Sequence, residues 1–565
     1  MNLHERLAAH VERIYGEGQR DGICERIRVL LSGYPDIGER PPTAITQDEV
    51  VLITYGDSLI EAGVPPLQTL RKFAVNRLER GFSTLHILPF FPYTSDDGFS
   101  VSDFNSVNPE LGRWSDVENF VPHYRLMFDF VLNHISSGSA WFKYYLEEKR
   151  GFADLAIEVD PSTDLTAVTR PRDLPLLTPF QKAGGRLVHL WTTFSPDQVD
   201  LNYASSDTLI RMLDVMLSYI RRGASILRMD AIAYLWKEIG GSSIHHPLTH
   251  EMVRLFRTVL DLAAPHVWII TETNVPHREN IQYFGDGRNE AQLVYNFTLP
   301  PLLLHTFLKE DARELSEWAS TLSPASDRTA FFNFTASHDG IGVRPVEDIL
   351  TDRDLQSMVA SVRKNGGGVS FRSGPGGSLR PYELNISYVD ALAGGNTATH
   401  VRRFLASQMV ALTLPGVPAV YIHSLLGSRN WAEGVHRTGR LRSINREKLT
   451  AGEVWADLGR PDSFRSRIFF PYMEMLQKRR FEPAFHPGAA FRVLDLHPGV
   501  FSIRRGEGEE ALHALVNVTG RPLSVTLPVA DGGRLVDCLS GRVWPGCSLQ
   551  LKPFDYAWLR RVDAE

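Results

Sequence analysis

The sequence predicts an α/β protein, a (β/α)8 TIM barrel with an inserted loop-rich domain and a small C-terminal β domain. Three observations carry that prediction. Short apolar, β-prone runs alternate with helix-period segments over about 430 residues, giving eight β/α units. Several of those runs end on a carboxylate, as strands do when their C-terminal ends open onto a common functional face. Beyond Pro487 the texture turns to short alternating strands separated by tight turns.

Composition supports a large folded chain. Its 565 residues, 43% hydrophobic and 10% aromatic, are ample for an extensive core. The 60 basic and 66 acidic residues leave a formal charge of -6 without long single-sign blocks, so neither nucleic acid nor an anionic membrane is indicated. A small-molecule partner is expected. Cys24, Cys538 and Cys547 have neither metal-ligand spacing nor a disulfide framework, which fits a reducing cytoplasm. Met1 to Arg13 lacks the continuous apolar core of an export signal, and no run reaches membrane-spanning length.

Taken in order, Leu3, Leu7, Val11, Ile14, Ile27, Leu30 and Leu31 recur at helical spacing, so residues 1–48 read as a helical extension. Val50 to Tyr55 is a strand, Pro66 to Arg80 an amphipathic helix and Thr84 to Phe91 a second strand; Leu126 to Leu132 is a third, within barrel residues 49–134. Residues 135–199 show little periodicity and contain Pro171 and Pro175, so they form an insertion above the barrel. The alternation resumes over 200–343 with a helix at Ser206 to Arg221, the strand Ser225 to Asp230, a helix at Pro247 to Leu262, and strands Val267 to Glu272, Leu293 to Phe297 and Phe331 to Ala336. Residues 344–395 read as irregular, with the glycine-rich Asn365 to Gly377 as a mobile loop. A helix from Thr399 to Leu412 and a strand from Ala419 to Ile422 complete the barrel within 396–486, and 487–565 form the β-sandwich. No Gly-x-Gly-x-x-Gly follows an early strand, which removes the main dinucleotide-binding alternative.

Asp129, Asp230, Glu272 and Asp339 read as the ends of four consecutive barrel strands, with Arg228, His134 and His338 beside them. Arg228 and Asp230, two apart on a strand, share a face. A single such pair reads equally as a structural ion pair, and a single acid as a helix cap. Four in series point to a site. Clustered carboxylates either hold a hard cation or cleave a glycosidic bond. A phosphate-cradling glycine loop and a pair of histidines at helical spacing are both missing, whereas a retaining glycosidase needs a nucleophilic carboxylate, a carboxylic acid about 5 Å away and donors for sugar hydroxyls.

These residues resemble glycoside hydrolase family 13, the α-amylase family. Asp129 to His134, Gln198 to Asn202, Arg228-Met229-Asp230, Glu272 and His338-Asp339 are similar to its signatures, in order. Ser95 to Phe99, Lys237-Glu238, His338 to Val343 and Ser443 to Arg446 are similar to those of its sucrose phosphorylase subfamily. The resemblance implies Asp230 as nucleophile, Glu272 as general acid/base and Asp339 as transition-state stabiliser. It further implies that Asp96 and Arg442 grip the distal glucose hydroxyls, that Phe99 and Tyr234 form an apolar wall, and that His134, Gln198, Arg228 and His338 complete the sugar site. Arg172 is similar to an arginine that meets phosphate. Asn133 would bind calcium in amylases, but phosphorylase relatives do without it, so no cofactor is expected.

The segments Thr169 to Phe180, Thr271 to His277 and Tyr382 to Asn385 are most similar to those of subfamily members acting on glucosylglycerate. The expected activity is therefore retaining phosphorolysis of 2-O-α-glucosylglycerate to α-glucose 1-phosphate and glycerate. Sucrose and glucosylglycerol phosphorylases, an α-glucosidase and a non-catalytic relative are the alternatives. Arg344 departs from the subfamily pattern, and the sequence leaves open whether it is an anion ligand or a solvated loop residue. A monomer or homodimer is expected.

Overall fold

Eight parallel strands close on one another in chain order: β1 (Val51–Thr54), β2 (Thr84–Ile87), β3 (Arg125–Phe130), β4 (Ala224–Met229), β5 (Trp268–Thr271), β6 (Leu293–Tyr295), β7 (Ala330–Phe334) and β8 (Val417–Tyr421), with β8 returning to β1. This computed structural model describes residues 2–38, 40–41, 43–171, 174–373, 379–528 and 533–563. The strands are apolar along nearly their whole length because the helices outside and the packed barrel interior bury both faces. Helices Pro66–Arg77, Ser206–Arg221, Pro247–Ala263, Leu299–Lys309, Thr397–Thr413 and Phe464–Arg480 form most of the outer layer.

The N-terminal extension is two helices, Leu3–Tyr15 and Glu17–Ser32. The first starts on a capping box, in which Glu5 N–H donates to Asn2 Oδ1 and Asn2 N–H to Glu5 Oε2, both at 2.9 Å. Leu7 and Val11 are buried, and Glu251 on the barrel helix Pro247–Ala263 accepts from Arg13 at 2.6 Å and lies 2.7 Å from His10 Nδ1. The extension is thereby fastened to the barrel by both an apolar stripe and ions.

Two regions are more regular than the sequence suggests. The insertion contains a helix, Ala140–Leu146, and two antiparallel strand pairs, His134–Ser136 with Gln198–Asp200 and Leu177–Gln181 with Leu187–Trp191. These strands are only three to five residues long, and His134–Ser136 pairs with a strand more than sixty residues away, so no period-2 run long enough to read emerges. The segment 344–395 holds a capped helix, Asp352–Lys364, followed by strands Gly368–Ser373 and Leu379–Asn385, which pair with each other and with Ile341–Gly342. It is a hairpin packed over the barrel mouth, and residues 374–378 of the expected loop lie outside the described residues.

The C-terminal domain is a six-stranded antiparallel sheet facing a two-stranded one, Leu523–Thr526 with Ser548–Leu551. Alternation puts Leu515, Ala557 and Leu559 against the small sheet, while Ala514, Val516 and Trp558 join the core of the barrel. Two fully buried guanidiniums, Arg479 and Arg505, lie at this junction. Arg479 donates to the carbonyls of Leu412, Gln47 and Gly416 at 2.9 to 3.0 Å, and Arg505 to those of Ala484 and His486 at 3.2 and 2.8 Å. Among the described residues, no helix is long and apolar enough to cross a membrane.

Candidate active site

At the C-terminal ends of β4 and β5, parallel pairing sets Met229 beside Thr271, so the next residues, Asp230 and Glu272, emerge side by side. The Glu272 N–H donates to Met229 O at 3.1 Å. Ala231 then turns into the left-handed region at φ +50°, an uncommon conformation for a residue with a Cβ, and its N–H donates to Glu272 Oε2 at 3.0 Å. The strained turn brings the two carboxyl groups into one electrostatic environment.

Arg228 supports Asp230 from within the barrel. Its Nη1 is 2.6 Å from Asp230 Oδ1 and 2.5 Å from Asp129 Oδ1, while its Nε donates to the Tyr295 hydroxyl at 3.1 Å. Burial pushes the Asp230 carboxyl above the ordinary aspartate value, with Arg228 and His134 opposing it. Burial also raises Glu272, to about 7, against Arg228 and with the charges of Asp230 and Asp339 adding to the rise. Since only Asp230 is directly ion-paired with Arg228, the pair's proton resides on Glu272. For Asp339, burial is outweighed by Arg442, His338 and Arg446, which hold its carboxyl below the usual range.

Asp129 departs from the expectation. The acid-bearing strands are β3, β4, β5 and β7, not four in a row, because β6 intervenes. Asp129 is fully buried beneath the site, bound to Arg228 and, at 2.7 Å, to His86 Nε2. It is a counter-ion for the arginine rather than part of the cavity wall.

The cavity is lined by Asp96, Phe99, His134, Gln198, Arg228, Asp230, Glu272, His338, Asp339 and Arg442, together with Phe194, Asn274, Tyr382 and Glu383. Phe99 stacks on His338, with ring centroids 4.8 Å apart and planes within 7°. His134 lies 2.9 Å from the Phe99 carbonyl and 3.1 Å from Gln198 Nε2, and Gln198 Nε2 also donates to Asp96 Oδ2 at 3.3 Å. Burial lowers the affinity of both imidazoles for a second proton, that of His338 to about 3, so they face the cavity as neutral groups. Arg442 forks onto Glu383 at 2.8 and 3.0 Å and reaches Asp339 Oδ1 at 2.5 Å. Arg446 holds Asp97, donates to the His338 carbonyl at 2.7 Å and lies 3.7 Å from Asp339.

Tyr234 packs edge-on against Phe194, a lining residue, with ring centroids 5.4 Å apart, and is not itself among the lining residues. Arg172 lies outside the described residues. Glu383, Tyr295 and Phe194 escaped individual notice in the sequence; Glu383 carried a signal only as part of Tyr382 to Asn385, and the other two carried none. The Lys237 ammonium is buried 2.6 Å from both Asn133 Oδ1 and Asp200 Oδ2, so a positive charge of the chain itself occupies the position beside Asn133.

A family model described as the catalytic domain of alpha amylase matches residues 78–339. The glucosylglycerate phosphorylase of Allomeiothermus silvanus is 44% identical over 561 residues, covering 99% of this chain and 98% of its own. That of Escherichia coli is 42% identical, covering 99% of this chain and all of its own length. The sucrose phosphorylase of Streptococcus mutans is 29% identical over 73% of this chain and 85% of its own. Among solved structures, sucrose 6F-phosphate phosphorylase from Thermoanaerobacter thermosaccharolyticum has a TM-score of 0.73 at 23% identity, covering 83% of this chain and 94% of that one, a likeness of fold. With relatives this similar along almost the entire chain, and carboxylates at the ends of the same closed barrel, the chain belongs to glycoside hydrolase family 13, the α-amylase family.

Proposed function

We propose that this enzyme is a retaining phosphorylase that reversibly converts 2-O-α-glucosylglycerate and phosphate to α-glucose 1-phosphate and glycerate. The observation that carries the chemistry is the split ionisation of two adjoining carboxyls, Asp230 paired with Arg228 and Glu272 raised to about 7. Asp230 attacks the anomeric carbon while Glu272 gives its proton to the departing glycerate oxygen. A phosphate oxygen then attacks the glucosyl ester, Glu272 takes the proton, and the bond to Asp230 breaks. Two inversions leave the configuration retained.

Asp339, kept ionised by its arginines, stabilises the oxocarbenium-like transition state, and neutral His134 and His338 supply donors to sugar hydroxyls. Asp96 and the Arg442–Glu383 fork hold the distal hydroxyls, and Arg172 contributes to the anion site. The choice of glycerate is supported by the 42 to 44% identity to glucosylglycerate phosphorylases over nearly the full chain, against 29% for the sucrose and glucosylglycerol phosphorylases compared. The free cysteines Cys24, Cys538 and Cys547 support a reducing cytoplasm as the working compartment, where the enzyme acts as a monomer or homodimer.

The test is release of glucose 1-phosphate with phosphate from glucosylglycerate, sucrose and glucosylglycerol in parallel. Glucosylglycerate should give the highest kcat/KM, with product of α configuration. Faster release from sucrose would make it a sucrose phosphorylase, phosphate-independent glucose release an α-glucosidase, and no turnover a non-catalytic barrel.

A further inference from the structure

Arg344 begins the turn that follows strand Ile341–Gly342 and is anchored by Val343 N–H donating to Tyr382 O at 3.1 Å. The same strand pairs with Glu383 and Leu384, and Gly342 approaches Asn274 so closely that a Cβ there would lie 2.5 Å from its amide nitrogen. Asn274, Gly342 and Tyr382 all line the cavity, so the backbone that carries Arg344, two residues beyond Gly342, adjoins it. The Arg344 guanidinium lies beside the Tyr234 phenol, which burial, together with the nearby Tyr382 and Glu272, holds neutral.

What separates Arg344 from its neighbours is charge pairing. Arg228 is held by Asp129 and Asp230, Arg442 by Asp339 and Glu383, and Arg446 by Asp97 and Asp339. Among the described residues, Arg344 has no carboxylate partner, and the imidazole nearby, His245, is pushed by burial down to about 4 and so is neutral. A half-buried guanidinium whose protein partner is a neutral phenol is completed by an anion from outside.

Resting on the phosphorylase reading above, we infer that Arg344, oriented by Tyr234, receives the carboxylate of the acceptor and so selects an α-hydroxy acid over a neutral polyol. In such an acid the carboxylate adjoins the hydroxyl that attacks the anomeric carbon. A cation that flanks the same Tyr234 phenol as Glu272 can therefore grip the charge while the acid/base reaches the hydroxyl proton.

The experiment is transfer from α-glucosyl fluoride to glycerate, glycerol and phosphate by the wild type and by Arg344→Gln, Arg344→Lys and Tyr234→Phe. Arg344→Gln should cut the glycerate-to-glycerol ratio of kcat/KM by roughly tenfold to a hundredfold, mostly through the KM for glycerate. Arg344→Lys should recover part of that ratio, and Tyr234→Phe should lower it in the same direction. Equal losses on glycerate and glycerol, or a loss confined to phosphate, would overturn the inference. A wild type that already prefers glycerol would instead overturn the glycerate reading itself.

Discussion

The N–H of Ala231 donates to Glu272 Oε2 at 3.0 Å, so the residue immediately after Asp230, the proposed nucleophile, is hydrogen-bonded to the proposed acid/base. Any change in one carboxyl's charge is felt by the other through this short turn, and the pH dependence of the enzyme should report on both.

Glu272 is raised from 4.5 to about 7, so it is protonated below that value and ready to serve as an acid. The kcat/KM for glucosyl donors should fall about tenfold per unit as pH rises above 7. The same shift bears on stability: ionising Glu272 in the folded state carries a penalty that is absent below about 4.5 and complete above about 7. Glu272→Gln should therefore lose turnover of natural donors, remain glucosylated by α-glucosyl fluoride, and gain on the order of 3 kcal/mol of stability above pH 7. Denaturant titration at pH 5 and pH 8 checks the sign: the gain must be larger at pH 8.

Asp230 and Asp129 share Arg228 yet should respond oppositely to substitution. Asp230→Asn leaves the guanidinium its 2.5 Å contact with Asp129, so the fold should persist while turnover drops by roughly four orders of magnitude or more. Asp129→Asn removes the wholly buried partner and should cost about 3 kcal/mol of stability. Comparable damage to the fold from both variants would contradict this division.

Lys237 bridges Asn133 and Asp200 at 2.6 Å. Replacing it with methionine strands the buried Asp200 carboxylate and should destabilise the protein by about 3 to 5 kcal/mol. Chelators should leave the wild-type melting temperature unchanged, and a fall on adding them would show that a metal shares this site.

Gly340 has no room for a methyl group. A Cβ there would lie 2.6 Å from Glu383 Cγ and 2.8 Å from the Leu384 carbonyl. Because Glu383 also carries Arg442, Gly340→Ala should raise the KM for donors about tenfold and cost about 1 to 3 kcal/mol of stability. An unchanged KM would mean that the Arg442 fork does not govern donor binding.

The barrel was legible because buried parallel strands such as Ser225 to Met229 are written as continuous apolar runs, and because chemistry at their ends breaks that run with Asp230 or Glu272. The strands Gly368–Ser373 and Leu379–Asn385 were not, since the glycines around them imitate a loop and their pairing reaches back to Ile341, information no local window holds. Asp129 was legible as a strand-end acid but not as a buried counter-ion, because its depth is set by Arg228, 99 residues away. Phe194 was not legible for a similar reason: only the folded insertion brings it to the cavity and against Tyr234.

The junction that holds Arg479 and Arg505 has a consequence for how the chain folds. Arg479 collects carbonyls from segments far apart in sequence, joining residue 47 to residues 412 and 416, while Arg505 of the β domain ties onto the carbonyls of Ala484 and His486 at the end of the barrel, so the junction is complete only when both parts have folded. The change of texture near Pro487 is thus a boundary in composition but not in energy, and cutting the chain there would expose Trp558's side of the core and leave Arg479 beside an open seam. Thermal denaturation should show a single transition shared by barrel and β domain, and the last barrel strand should gain its final rigidity only when synthesis of the chain is complete.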